Sequence, residues 1–192
     1  MELKAGVKTF YAKTQKEWRN WLEKNHRSEK AVWLIFYKKG SGTQSTNYAE
    51  TLEDALCFGW IDSKANKRDD ESYYQYFAKR KPESNWSKVN KEKVAKLIEK
   101  GLMTPAGFES IETAKQNGTW SALDEVEELI IPPDLKLLFD KNKTASDYWE
   151  KFSRSAKRAI LEWILNAKRP ETRQKRITET VELAQKNIKA NF

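Results

Sequence analysis

The chain has one cysteine, Cys57, and one histidine, His26, among its 192 residues. A lone thiol excludes an internal disulfide framework, and one thiol with one imidazole leaves nothing from which to build a thiolate-rich or histidine-rich metal site. Long apolar runs are missing too. The longest, Ala31 to Tyr37, holds 7 residues, against the roughly 20 that a membrane-crossing helix needs. Met1 to Gly6 does not lead into the apolar stretch of a secretory signal, so the expected address is the cytoplasm. Neither G-x-x-x-x-G-K-[ST] nor G-x-G-x-x-G occurs, so nucleotide hydrolysis and dinucleotide chemistry lack their usual motifs, and no cofactor and no metal are expected.

What is present is aromatic and basic. Hydrophobic residues make up 39% and aromatics 12%, with 8 Trp, 7 Tyr and 8 Phe, a composition that supports a sizeable core. The 36 Lys and Arg outnumber the 28 Asp and Glu, giving a net charge of +8. That excess is local. Lys79 to Lys100 holds 8 basic and 3 acidic residues, Lys151 to Arg176 holds 9 and 2, and Glu109 to Asp134 holds 1 and 7. Two basic segments and one acidic segment therefore alternate along the second half, and anionic partners are the natural ones to consider.

Hydrophobic spacing divides the chain. Thr14 and Glu17 have capping-box spacing ahead of Trp18, Trp21 and Leu22, predicting a helix to about Asn25. Ala31 to Lys39 reads as a buried strand closed by Gly40-Ser41-Gly42. Asn47 caps a second predicted helix that stops at Gly59. Gly59 to Lys64 and Ser72 to Arg80 read as paired strands, with Ala65 to Glu71 as a long charged turn. Ser87 and Thr104-Pro105 each start a further helix, ended by Gly101 and Gly118. Pro132-Pro133 is the expected boundary between an α+β part, residues 1–131, and an all-helical part, residues 132–192, packed on the first. In the second part Ala156, Ala159, Ile160, Trp163, Ile164 and Ala167 follow the helical template, and Ile177, Val181, Ala184 and Ile188 resume it after Pro170. The expected fold class is α+β, a small mixed sheet with packed helices followed by a helical C-terminal part.

Several motifs resemble a known family. Ala55 to Asp62 with its Gly59-Trp60-Ile61-Asp62, Phe77-Ala78-Lys79-Arg80, Ser84-Asn85-Trp86-Ser87-Lys88-Val89-Asn90, Pro105-Ala106-Gly107, Phe152-Ser153, Lys157-Arg158, Trp163-Ile164 and Glu171-Thr172-Arg173 together resemble the YdeI/OmpD-associated (OmdA) family, named also for bacteriocin protection. The likeness runs from about Tyr48 to the end, and Ser63 stands where the family is associated with a glycine. The resemblance implies a bacterial protein linked to resistance against bacteriocins or cationic antimicrobial peptides and to an outer-membrane porin. It carries over no reaction and no catalytic residue.

Candidate site residues come from these motifs. Asp62 on its strand needs a partner if it faces inward, and Arg80 or Lys64 would give an ion pair; a role in ligand binding or proton transfer is the alternative. Asn85, Trp86 and Ser87 at a helix start offer backbone N–H groups, a hydroxyl and an aromatic wall for a small anion, or else a helix cap with Trp86 in the core. Trp60, Asp62, Ser63, Arg80, Asn85, Trp86 and Ser87 are thus the ligand-binding candidates. Arg154, Lys157, Arg158, Lys168, Arg169, Arg173 and Arg176 are the basic-surface candidates, for phosphates or an acidic protein, against the plainer reading of a solvated face. Tyr73, Tyr74, Tyr76 and Phe77 beside Lys79-Arg80-Lys81 suit single-stranded nucleic acid, but alternation puts half of them on each face, and core packing is favoured. Cys57 reads as a buried inert thiol and His26 as a partner of a helix C-terminus. The reading is a non-catalytic protein binding a small anion or an acidic partner, with acid–base chemistry in an Asp62/Arg80 pocket or nucleic-acid binding as alternatives.

Overall fold

A computed structural model describes residues 2–191, and the chain divides into two compact units, Met1–Ser121 and Ala122–Phe192. The division falls ahead of Pro132-Pro133, which opens a helix inside the second unit.

In the first unit the elements run β1 (Leu3–Lys4), β2 (Val7–Tyr11), α1 (Gln15–Asn25), β3 (Ala31–Tyr37), α2 (Tyr48–Cys57), β4 (Trp60–Lys67), β5 (Ser72–Lys79), α3 (Lys88–Glu99) and α4 (Pro105–Gln116). The sheet order is β1-β2-β3-β5-β4. Only β2 and β3 are parallel, with α1 as their crossover; the remaining pairs are antiparallel. Each helix starts where its cap chemistry puts it: the Glu17, Ala49, Asn90 and Gly107 N–H groups donate to the side chains of Thr14, Asn47, Ser87 and Thr104.

Two things differ from the sequence expectation. Strands β1 and β2 were not anticipated, because five residues such as Val7–Tyr11 show their strand character only when a neighbour at Trp33 to Ile35 supplies the ladder. Strand β4 is also longer than expected. Ala65, Asn66 and Lys67 pair with Gln75, Tyr74 and Tyr73 across a register shift, so the turn shrinks to residues 68–71. That shift is a bulge: three residues advance on β4 between Asp62 and Ala65 while two advance on β5. Ser63 sits in it, and its φ is not positive, so the bulge does not demand a glycine there.

Strand alternation sorts the side chains onto two faces. Val32, Leu34, Phe36 and Phe77 face the helices and join Trp18, Leu22, Leu56, Trp60, Trp86 and Leu97 in the main core. Trp18 is fully buried and its indole N–H donates to the Thr51 carbonyl at 3.0 Å, so its polar atom is satisfied. Trp33, Ile35 and Tyr74 face the other way, with Tyr11, Tyr37 and Tyr76 around them and no helical residue in the cluster.

The second unit is helical: α5 (Asp124–Glu127), α6 (Pro133–Lys141), α7 (Lys143–Lys151), α8 (Arg154–Leu165) and α9 (Pro170–Ala184). Proline stands at the first position of α6 and of α9, where its missing N–H costs nothing. Leu135, Phe139, Trp149, Ile160, Ile164 and Ile177 form its core. The fold class is therefore α+β with an all-helical C-terminal part.

Candidate functional site

Glycine builds the floor of a cleft in the first unit. Gly59, at φ +71°, turns the chain from α2 into β4, and a Cβ there would lie 2.8 Å from the Ala106 carbonyl oxygen. A Cβ on Gly107 would lie 2.3 Å from the Cys57 oxygen. That same oxygen accepts from Thr104 Oγ1 at 2.7 Å and Thr104 N at 3.2 Å. The end of α2 and the start of α4 therefore interlock at backbone distance, which only glycine at both positions allows. Beside this lock the Trp60 indole donates to the His26 carbonyl at 3.3 Å, and Arg80 N donates to the Gly59 carbonyl at 2.9 Å.

The cleft so framed has a volume of about 450 Å³, within the range of small-molecule sites. Its walls are Phe58, Trp60, Trp86, Pro82 and Pro105. Its charged lining is Arg27, Lys79, Arg80 and Lys81 against one carboxylate, Glu109. Ser110 and Thr113 of α4 add hydroxyls, and Pro105 and Ala106 place the positive end of the α4 dipole there as well.

Arg80 is the unusual member. Its guanidinium lies 3.9 Å over the Trp86 ring, and Nη2 donates to the Asn85 carbonyl. Nε and Nη1 are shut off from solvent and find no acceptor among the described residues. Among the described residues no carboxylate forms an ion pair with it, and burial lowers the pKa to about 10. A charge held this way is costly unless something supplies acceptors. His26 also lines the cleft; its Nδ1 meets the Leu22 carbonyl at 2.8 Å, so Nδ1 carries the proton and Nε2 is the second polar atom.

Of the sequence candidates, Trp60, Arg80 and Trp86 come together here, and Asp62, Ser63, Asn85 and Ser87 are not among the lining residues. Asp62 accepts from Tyr48 Oη at 2.5 Å and lies 3.5 Å from Gln75 Nε2, and among the described residues it forms no ion pair with Arg80 or Lys64. It faces the helix side opposite Phe77, while Arg80 lies beyond the end of β5. Asn85 contributes its carbonyl to Arg80, and Ser87 caps α3. His26, Arg27, Glu109, Ser110 and Thr113 line the cleft without having been singled out for it, since nothing in their local sequence signals that the end of α1 meets the start of α4. Cys57 is buried, and burial pushes its thiol up.

The basic-surface candidates of the second unit are mostly engaged. Arg173 pairs with Asp134 through two bonds of 2.7 and 2.9 Å. Arg158 pairs with Glu127 and Glu162, each at 2.8 Å, and Lys157 with Glu150 at 2.7 Å. Arg154 donates to the Glu127 carbonyl, and Arg176 donates to the Trp163 carbonyl while lying over its ring. Lys168 and Arg169 are exposed and form no ion pair among the described residues.

Among the described residues no helix is long and apolar enough to cross a membrane, and no group of three or more His, Cys, Asp or Glu gathers as a metal site. Residues 10–110 match the family described as a domain of unknown function (DUF8412). Residues 128–187 match the family described as Bacteriocin-protection, YdeI or OmpD-Associated. The Gly59-Trp60-Ile61-Asp62 and Asn85-Trp86-Ser87 motifs therefore fall in the first match and the helical motifs in the second. No curated protein and no solved structure matches the chain.

Proposed function

From the premise that the chain belongs to the DUF8412 family, with a YdeI or OmpD-associated segment as its C-terminal part, we propose that it binds a small anion in the cleft at Arg80. The observation that carries this reading is the buried guanidinium with two donors lacking any acceptor among the described residues, in a cleft with four cationic side chains and one carboxylate. An anion would supply the missing acceptors, and a charge-assisted bond to a buried guanidinium is stronger than one made in water. The Trp86 ring under the guanidinium fixes its plane and so the direction of those bonds. Bacteriocin protection enters through the family's description alone, and the proposed contribution of this chain to it is recognition rather than turnover. The proton-transfer alternative is weakened by the separation of Asp62 from the cleft.

Titration calorimetry and thermal shift against phosphate, sulfate, citrate and small carboxylates test the proposal. A bound anion at about 100 times its Kd adds ~2.7 kcal/mol of stability. Arg80→Met abolishes that shift if the cleft is the site. No saturable binding by any of these probes to the native protein, or equal binding by Arg80→Met, would overturn it.

A further inference from the structure

The face of the sheet turned away from the helices carries a second constellation. Tyr11, Trp33, Tyr37, Tyr74 and Tyr76 gather on it from β2, β3 and β5. Their rings meet edge to face: Trp33 with Tyr76 at 4.8 Å, Trp33 with Tyr74 at 6.1 Å and Tyr11 with Tyr37 at 5.2 Å. Trp33 and Tyr74 are buried, whereas Tyr11, Tyr37 and Tyr76 are half-buried.

Three cations from three elements converge on these rings. Lys4 of β1 lies 4.4 Å from the Tyr74 ring and 5.4 Å from that of Trp33. Lys64 of β4 lies 5.6 Å from Trp33 and 5.8 Å from Tyr76. Arg68, in the β4–β5 turn, lies 5.9 Å from Tyr74 and 6.0 Å from Tyr37. Lys64 reaches this face because of the bulge: unbroken alternation from Asp62 would point it to the helix side, and the extra residue reverses it. Arg68 is shared with Glu2 and Asp69. Lys4 and Lys64 have no ion pair among the described residues, so the rings are their only recorded partners there. The Trp33 indole N–H is buried without an acceptor among the described residues.

We infer that this cation-lined aromatic face, with Tyr11, Tyr37 and Tyr76 half-buried at its rim, binds single-stranded nucleic acid. Such a ligand offers phosphates to Lys4, Lys64 and Arg68 and flat bases to the tyrosine rings, which a purely acidic peptide does not. A cation resting on a ring at a wet surface is a weaker contact than a base stacked on it, so lysine moving to phosphate while a base takes the ring is a favourable exchange. Sequence-independent backbone contact with stacking is the expected mode, and a rigid duplex cannot present its bases to the face. This site is separate from the Arg80 cleft and stands without it.

Fluorescence anisotropy of the full chain with a labelled oligo-dT of about 15 nucleotides tests the inference. Expected are saturable binding and a log K against log salt slope of about −2 from three cations. Lys64→Glu weakens binding about tenfold or more, because one phosphate contact becomes repulsive. Lys100→Glu, an equal charge change at the end of α3, leaves it within about twofold. Tyr76→Leu lowers affinity without changing the salt slope, and unchanged circular dichroism and melting separate this from misfolding. Absence of binding at about 50 mM salt overturns the inference. So does equal binding of a duplex of the same length, equal binding of poly-glutamate, or equal loss from Lys64→Glu and Lys100→Glu.

Discussion

Arg80 in the first unit and Arg158 and Arg173 in the second are held in opposite ways. In the second, Arg173 and Arg158 reach Asp134, Glu127 and Glu162 at hydrogen-bond distance. In the first, Arg80 has a tryptophan ring and one carbonyl, and no carboxylate. By sequence the second unit holds the more basic segment, since Lys151 to Arg176 carries 9 basic and 2 acidic residues. The preceding acidic stretch neutralises part of it, because Glu127 and Asp134 belong to that stretch and supply the partners. Density of cations along a chain is therefore a poor guide to availability. What matters is which cations the fold leaves without a counter-charge, and Arg80 is the one among them whose guanidinium donors are buried without an acceptor among the described residues.

The contrast can be broken most severely at the glycine lock. Gly107→Ala places a methyl 2.3 Å from the Cys57 carbonyl oxygen and 2.6 Å from the Met103 methyl. The expected loss is about 3 kcal/mol, read as a lower urea midpoint, with anion binding lost as well. A variant with unaltered stability would show that α4 does not approach α2 so closely.

Opposite signs are expected on replacing the two kinds of arginine. Arg80→Met removes a buried charge lacking acceptors and should stabilise the anion-free protein by about 1 kcal/mol. Glu127→Gln takes from Arg158 one of its two counter-charges and should cost about 1 kcal/mol. Denaturant melts of the two variants against wild type sharpen the comparison directly; destabilisation by Arg80→Met would mean that Arg80 already has a counter-charge.

The smallest effect is a pH response. Arg173 holds the Asp134 carboxyl below the usual carboxylate range. A folded-state carboxyl with a depressed pKa contributes stability above the unfolded value and loses it as pH falls through the folded one. Loss should therefore begin below about pH 4, and because the Asp134 side chain is 41% exposed, screening limits it to well under about 1 kcal/mol. Arg80 works the other way: its folded pKa is lowered to about 10, so its burial cost persists through neutral pH and eases only above that value. An acid titration of thermal stability with Asp134→Asn as the control reads the first effect alone.

Helix starts in the first unit were legible because each cap is a local bargain between a side chain and an N–H two or three residues on, as at Thr14, Asn47, Ser87 and Thr104. The strand Ala31–Tyr37 was legible because it is apolar throughout, matching burial on both faces. Strand β2 was not, since its pairing with β3 is settled 24 residues away, at Thr9 and Trp33. The site was half legible. Trp60, Arg80 and Trp86 were singled out, but Asp62 was expected beside them and instead bonds Tyr48, because strand alternation turns it to the helix face and Arg80 lies past the strand end.

The sequence by itself determined the class of fold, the starts of the capped helices in the first unit and the presence of a basic excess, since these follow from periodicity, capping and composition. The tertiary structure decided which charges stay unpaired and which rings meet. Counter-charges reach across tens of residues, as Asp134 does to Arg173, and a one-residue bulge reverses the face on which Lys64 stands. Those are distances in space, and a linear chain does not contain them until β4 pairs with β5 and α4 closes on α2.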